Sequence, residues 1–335
     1  MTDSTRGEAP PRAGHPEIEP VPAGVHRPTW SVMIPTYNCA EYLRETLRSV
    51  LAQDPGSDRM QIEVIDDVST KDDPEAVVRE IAPGRVSFYR QPENAGAAGN
   101  FTTCVRRSTG YRVHILHGDD AVRTGFYAKL GAVFDARPDI VAAFTRAIVF
   151  DEHSTWLAIT RMHEKESGVP SDWPRRLLEG NKVYTPSIVV KRDAYEAVGG
   201  FQPDLFHSAD WDMWKRVALY GPMYFETEPL ALYREHPSSD TSGLRQSGRD
   251  VQCARNAIYL SRDYVPTGSS MEWFDQARRN LAKTAVRNAD VMFRRGFVDG
   301  AMAQVREAFG TFRSRWVVNR GVRLYAKARW RKLRG

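Results

Sequence analysis

Cysteine is scarce in this chain, with three in 335 residues. Cys39, Cys104 and Cys253 lie far apart and form no CxxC pair. That argues against a disulfide framework and a thiolate zinc site, and it fits a reducing, cytosolic setting. Long apolar runs are lacking too. A membrane-spanning helix needs roughly 18 or more apolar residues. The richest run, "IVAAFTRAIVF" from Ile140 to Phe150, is shorter and is broken by Arg146. It reads as a buried strand. The common nucleotide and hydrolase signatures are also missing: there is no GxxxxGK[ST], GxGxxG, HExxH or GxSxG. The usual cradles for ATP and NAD are therefore not the basis of this chain's chemistry.

Acidic residues are absent from residues 311–335, which hold nine Lys or Arg. The net charge of +5 becomes −4 once that +9 is set aside. The body is mildly acidic, and any basic partner-binding surface is the tail. Residues 1–29 contain Pro10, Pro11, Pro16, Pro20, Pro22 and Pro28 and no apolar core segment. They do not read as a signal peptide, and their composition predicts a disordered leader.

What is present is an alternation. "WSVMIP" is a short apolar strand, and "AEYLRETLRSVLAQ" places Leu43, Leu47, Val50 and Leu51 at helical spacing. "QIEVIDD", "RVSFYR" and "YRVHILHGDD" read as further strands, separated by the helices "PEAVVREIA" and "AGAAGNFTTCVRRS". This rhythm predicts a parallel sheet flanked by helices. After residue 150 the pattern weakens. Residues 151–183 read as a loop-rich insertion, "SIVVKRDAYEAVGG" as a strand and a helix with a glycine stop, and "MYFETEPLALYREH" as two short strands. The predicted division is a leader over 1–29, an α/β domain over 30–240, a helical extension over 241–310 and an amphipathic tail over 311–335.

In such sheets ligands bind beyond the carboxyl ends of the strands. Four polar clusters fall there in succession: "PTYN", "DDVST", "PENAG" and "HGDD". Adjacent carboxylates repel one another and are costly to desolvate. Asp119 and Asp120 become reasonable together if a divalent cation sits between them and an anionic ligand. Mg²⁺ takes one or two carboxylates, waters and phosphate oxygens, and such an ion stabilises charge on a leaving diphosphate. The plainer reading is that one of the two caps the helix that follows. Asp210, in "HSADWDMW", is the candidate base for an acceptor hydroxyl. Asp212 stands two residues on and so on another helix face. A helix N-terminus merely enriched in acids is the plainer reading here too.

In this order the clusters resemble family 2 glycosyltransferases with the GT-A fold, over about residues 30–236. "SVMIPTYN", "EVIDDVSTKDD", "NAGAAGN", "HGDD", "GGF", "ADWDMW" and "YREH" carry the likeness. The resemblance implies an α/β fold of the GT-A type, a mixed sheet flanked by helices with a helical C-terminal extension. It implies inverting, metal-dependent transfer of a sugar from a nucleoside diphosphate to an acceptor hydroxyl of a glycan, lipid-linked saccharide or glycosylated metabolite. Pro35, Thr36 and Tyr37 would line the base pocket and Asp67 would contact the base. Asn94, Gly96, His117 and Gly118 would stand near the nucleotide. Asp119, with Asp120 beside it and His236 approaching, would hold Mg²⁺ or Mn²⁺, and Asp210 would be the base. The chain departs from the family pattern at His117, where Asp is common, and at Gly99, where a cation is frequent. It departs again at Ala209, where Glu is usual, and at Val68, where Gly is usual. Two rival readings are a nucleotidyltransferase and a non-catalytic sugar-nucleotide-binding or membrane-associated protein on the same fold. The first would place a cation after strand one, where "PTYNCAEY" has none. The second has no need of a base.

At about 100° per residue, Val317, Gly321, Leu324 and Ala328 fall on one side of a tail helix. Arg313, Arg320, Arg323, Lys327, Arg331 and Arg334 fall on the other, with Trp316 and Trp330 flanking them. This pattern predicts a helix lying on an anionic bilayer, each basic residue contributing about 1 kcal/mol. The expected location is cytoplasmic, peripheral on the inner face of the plasma membrane. Packing of the narrow apolar side on the domain is the alternative. Nucleic acid is not an expected partner, because the body is acidic and no reading motif occurs.

Overall fold

The computed structural model describes residues 14–237, 240–266 and 270–334. The chain divides into two compact units. The first holds the residues up to Trp173 with Val183–Phe206 and Met213–Glu235. The second holds Pro174–Lys182, His207–Asp212 and His236–Gly335.

In the first unit β1 (Trp30–Thr36), α1 (Ala40–Leu51), β2 (Met60–Asp66), α2 (Pro74–Ile81), β3 (Ser87–Arg90), α3 (Gly96–Arg107) and β4 (Arg112–Ile115) alternate as expected. The strands pair in parallel in the order β3-β2-β1-β4. Every residue of β1 is buried, because helices cover both sides of the sheet. Val32, Ile34, Ile62 and Val64 share one core with Leu43 and Leu47 of α1 and Val77 and Val78 of α2. On the other side Arg107 of α3 pairs with buried Glu63 of β2 at 2.6 Å.

Beyond β4 the sheet becomes mixed. The later elements are β5 (Ala121–Val122), α4 (Phe126–Ala136), β6 (Ala142–Asp151), β7 (Trp156–Ile159), α5 (Trp173–Leu178), β8 (Ile188–Lys191), α6 (Arg192–Val198), α7 (Ala209–Tyr220) and β9 (Met223–Glu235). The order continues β4-β8-β6-β9-β5, and β7 pairs with β6. The segment expected as two short strands is the single strand β9. Its register against β6 shifts where Arg146 faces Pro229. Proline donates no hydrogen bond to a ladder, so the strand bulges there and its sequence reads as interrupted. The region 151–183 is not all loop, since it contributes β7 and α5.

Of the leader expected over 1–29, residues 1–13 lie outside the described residues, and residues 14–29 make contacts with the first unit. Ile18 is buried. The Gly200 N–H donates to Pro16 O at 2.7 Å, and Arg192 Nη2 donates to Glu19 O at 3.0 Å.

The second unit contains α8 (Asp240–Ser247), α9 (Arg249–Leu260), α10 (Ser270–Arg294), α11 (Val298–Thr311) and α12 (Arg315–Arg334). Ala285, Ala289, Val305, Ala308, Val317 and Leu324 form its core. Val317 and Leu324 of the tail share that core. At Gly321 an added Cβ would lie 2.6 Å from the Phe309 ring, so only glycine permits this close crossing. The apolar stripe Val317, Gly321, Leu324 and Ala328 is buried against protein, which corrects the expectation that it faces lipid. Among the described residues no helix is long and apolar enough to cross a membrane.

One buried group of β4 sets a pH dependence. His114 Nε2 lies 3.0 Å from Pro186 O and Nδ1 3.1 Å from Tyr127 Oη. A neutral ring that donates from Nε2 and accepts at Nδ1 satisfies both. Burial pushes its pKa down to about 4. Below pH 6.5 the unfolded chain binds a proton that the folded ring refuses. This stability is therefore present above about pH 6.5 and lost as pH falls towards 4. Urea unfolding should show about 2 kcal/mol less stability at about pH 5 than at about pH 7 from this group. His114→Gln should flatten that slope.

Candidate active site

The parallel strands place a topological switch point between β1 and β4: the chain runs from β1 outward to β3, then returns to the other side of β1. A crevice opens outside the carboxyl ends at such a point. The sequence-predicted clusters meet there through backbone bonds and bonds of the Asn94 side chain. The Asp67 N–H donates to Thr36 O at 2.9 Å, and the Gly118 N–H donates to Pro35 O at 3.0 Å. Asn94 Nδ2 donates to Asp67 O at 2.8 Å, and the Gly96 N–H donates to Asn94 Oδ1 at 3.3 Å.

Individual orientations sharpen these roles. Of Pro35, Thr36 and Tyr37, only Tyr37 presents an exposed side chain, at 50%. Pro35 and Thr36 are buried, and Thr36 Oγ1 is within 3.5 Å of Asp66 Oδ1. Asp67 is buried, and its Oδ1 accepts the Ala95 N–H at 2.7 Å, which caps α3 from the neighbouring strand end. Burial raises the Asp67 carboxyl above its usual range, against the pull of the Ala95 and Gly96 amides. Val68 sits at φ 63°. That left-handed conformation is strained for a β-branched residue, by about 1–3 kcal/mol.

The loop after β4 carries the densest chemistry. His117, Asp119 and Asp120 each offer one ligand atom, all within 4.8 Å of one another. Asp120 is buried, and burial raises its carboxyl above the usual carboxylate range, with Asp119 adding to it and His117 opposing. Its Oδ1 accepts the Arg234 N–H at 2.8 Å. Its Oδ2 lies 3.3 Å from His117 Nδ1 and accepts no well-formed hydrogen bond among the described residues. A buried carboxylate oxygen beside an imidazole and a second carboxylate is a donor set that fits a divalent cation. The His117 ring stacks on Phe101, with centroids 5.1 Å apart and planes 12° from parallel.

Several residues that build this loop have no signature in the sequence. Thr46 of α1 donates to Gly118 O at 3.0 Å or to Asp120 O at 2.6 Å. Buried Arg234 donates from Nε to Asp119 O at 2.8 Å and from Nη2 to Glu45 Oε2 at 2.5 Å. Its guanidinium lies over the rings of Tyr42 at 4.7 Å and Phe150 at 4.2 Å. Arg234 belongs to "YREH", so its place was visible and its task was not. Gly118 admits no side chain: a Cβ would lie 2.6 Å from Thr36 Cγ2 and 2.8 Å from Cys39 Sγ. Asn38 Oδ1 accepts the Thr70 and Lys71 N–H groups, both at 2.9 Å, and Asp72 Oδ2 accepts the Ala40 N–H at 2.8 Å. These bonds lock the loops after β1 and β2 together.

Asp210 and His236 belong to the second unit. Asp210 is half-buried, and its Oδ2 accepts from Asn181 Nδ2 at 3.1 Å. Asp212 is fully buried, and its Oδ1 accepts from Tyr264 Oη at 2.6 Å. The two acids therefore take different faces, as their spacing requires, and Asp212 is structural. His236 is buried.

Comparison with known proteins bears on the family and the fold. An uncharacterized protein of Mycobacterium tuberculosis is 26% identical over 78% of this chain and 86% of its own length. An uncharacterized glycosyltransferase of Rickettsia prowazekii is 26% identical over 65% of this chain and 67% of its own. Residues 1–349 of Staphylococcus aureus TarS, solved with UDP-GlcNAc, superpose with a TM-score of 0.62 at 12% identity, covering 90% of each chain. The mannosyltransferase PcManGT of Pyrobaculum calidifontis, solved with GDP-Man and Mn²⁺, gives 0.56 at 20% identity, covering 94% of this chain and 84% of its own. The sheet and flanking helices are thus of the GT-A type. Residues 31–199 match the glycosyl transferase family 2 profile, and the chain belongs to that family and is a glycosyltransferase.

Proposed function

We propose that this enzyme moves a sugar from a nucleoside diphosphate donor to an acceptor hydroxyl of a glycan, lipid-linked saccharide or glycosylated metabolite, with inversion, using Mn²⁺ or Mg²⁺. The observation that carries the reading is the His117, Asp119 and Asp120 cluster at the switch point of the sheet. An imidazole among the ligands favours Mn²⁺ over the harder Mg²⁺. The solved relative with GDP-Man and Mn²⁺ supports the same choice.

The donor's base lies on Tyr37 beside Pro35 and Thr36, with Asp67 and Asn94 shaping the wall. Gly96 opens α3, whose N-terminal amides favour an anionic group. Asp119 and Asp120, joined by His117, would hold the ion. When bound, the ion neutralises the diphosphate and stabilises charge on the leaving group. Asp210, half-exposed and oriented by Asn181, accepts the proton of the attacking hydroxyl. That oxygen then displaces the diphosphate from the opposite face of the anomeric carbon.

Asp210→Asn should lower transfer at least about a hundredfold. Its nucleoside diphosphate binding, read by thermal shift, should match that of the unaltered protein. Undiminished turnover in the variant would remove Asp210 from the mechanism. Because burial favours the protonated form of Asp120 and a ligand must give up its proton, Mn²⁺ affinity should weaken several-fold between about pH 7.5 and about pH 5.5. Asp120→Asn should lose most of the affinity, as read by Mn²⁺ electron paramagnetic resonance.

A further inference from the structure

Helix α12 turns a second, different face outward. Residues four apart form rows along a helix. The rows through Val317 and Gly321 and through Leu324 and Ala328 point into the core of the second unit. The outward row is Val318, Val322, Ala326 and Trp330, an unbroken apolar strip about 18 Å long at the helical rise. Val318 is 36% exposed, Val322 53% and Trp330 58%. The next row is Arg315, Asn319, Arg323 and Lys327, all exposed. Trp316, 40% exposed, lies beyond it with Arg320 over its ring at 5.9 Å. Arg329 is exposed on the other side of the strip. The side chains of Arg331 and Arg334 lie outside the described residues.

We propose that this outward face docks on an anionic lipid bilayer. The strip enters the boundary between headgroups and acyl chains, and the flanking cations meet the acidic headgroups. The face is opposite to the stripe that hydrophobic periodicity alone selects. Three observations favour lipid as the occupant. Solvated helices do not need an exposed row of Val, Val, Ala and Trp, whereas interfacial helices are built on one. Residues 311–335 contain no carboxylate, and the rest of the chain carries −4, so an anionic surface attracts this segment and not the remainder. A second copy of the chain would bring two basic rows together, and a nucleic acid would leave the apolar strip unused. The proposal does not depend on which donor or acceptor the enzyme uses.

The test is co-sedimentation of the full-length protein with vesicles of phosphatidylcholine containing about 30% phosphatidylglycerol, a content chosen to mimic an anionic leaflet. Pure phosphatidylcholine vesicles serve as the reference. Binding is expected to the anionic vesicles and not to the neutral ones. Arg323→Gln with Lys327→Gln should weaken it about 25-fold, roughly fivefold per charge. Val318→Asn with Val322→Asn should weaken it at least about tenfold and reduce tryptophan quenching by brominated lipid. Both double variants should keep the parent's helical circular dichroism and melting temperature. Leu324→Ala, in an inward row, should lower the melting temperature and leave vesicle affinity unchanged.

Equal binding to neutral vesicles would overturn the proposal. So would affinity unmoved by the two valine changes, or release by Leu324→Ala in place of them. A dimer in analytical ultracentrifugation, lost in the valine variant, would assign the strip to a second copy and overturn it too.

Discussion

Two adjacent carboxylates at the end of β4 have to be held close to one another and partly out of water, and much of the surrounding structure serves that constraint. Their mutual repulsion and desolvation favour protonation or escape to solvent. Arg234 grips the loop through its backbone: its amide reaches Asp120 Oδ1, and its side chain reaches the Asp119 carbonyl. Its own charge is anchored between two aromatic rings and Glu45. Arg234 thus fixes where the loop stands while Asp120 Oδ2 accepts nothing from it. Thr46 and the side-chain-free Gly118 complete the clamp from the β1 side.

The parts of this arrangement legible in the sequence were the local ones. Alternating strands and helices, and polar clusters at strand ends, depend on neighbours a few residues apart. Their order along the chain also carried the family likeness. What escaped was long-range. Arg234 lies far along the chain from the loop it grips, and Thr46 is one hydroxyl on an otherwise ordinary amphipathic helix. Nothing in the type of either residue marks the task, because both act through backbone groups whose position is set by sheet pairing. The β5–β9 ladder brings Arg234 to Asp120, and a two-residue strand such as β5 has no periodicity to read.

The tail shows the same limit in another form. A helical wheel of the tail separates an apolar side from a basic side. The wheel alone does not say what the apolar side meets. Tertiary packing decides that: Gly321 lets α12 approach Phe309 closely, and the stripe becomes core. Other apolar residues lie among the cations on the outward side. Val318, Val322 and Trp330 stand out only when the inward face is known.

His117 was a departure from the expected pattern, and its surroundings give that departure a physical sense. A third carboxylate at this position would add repulsion to a pair whose buried member is already pushed towards protonation. A neutral imidazole adds a ligand atom without adding charge. Phe101 stacks beneath the ring and fixes its plane, and Asp120 Oδ2 stands beside Nδ1. In the proposed metal site the ion would therefore meet two negative charges instead of three. Such a set binds a divalent cation less tightly than an all-carboxylate one and depends more on the donor's diphosphate to complete the shell. On that reading the donor's diphosphate strengthens ion binding, and His117 increases that share.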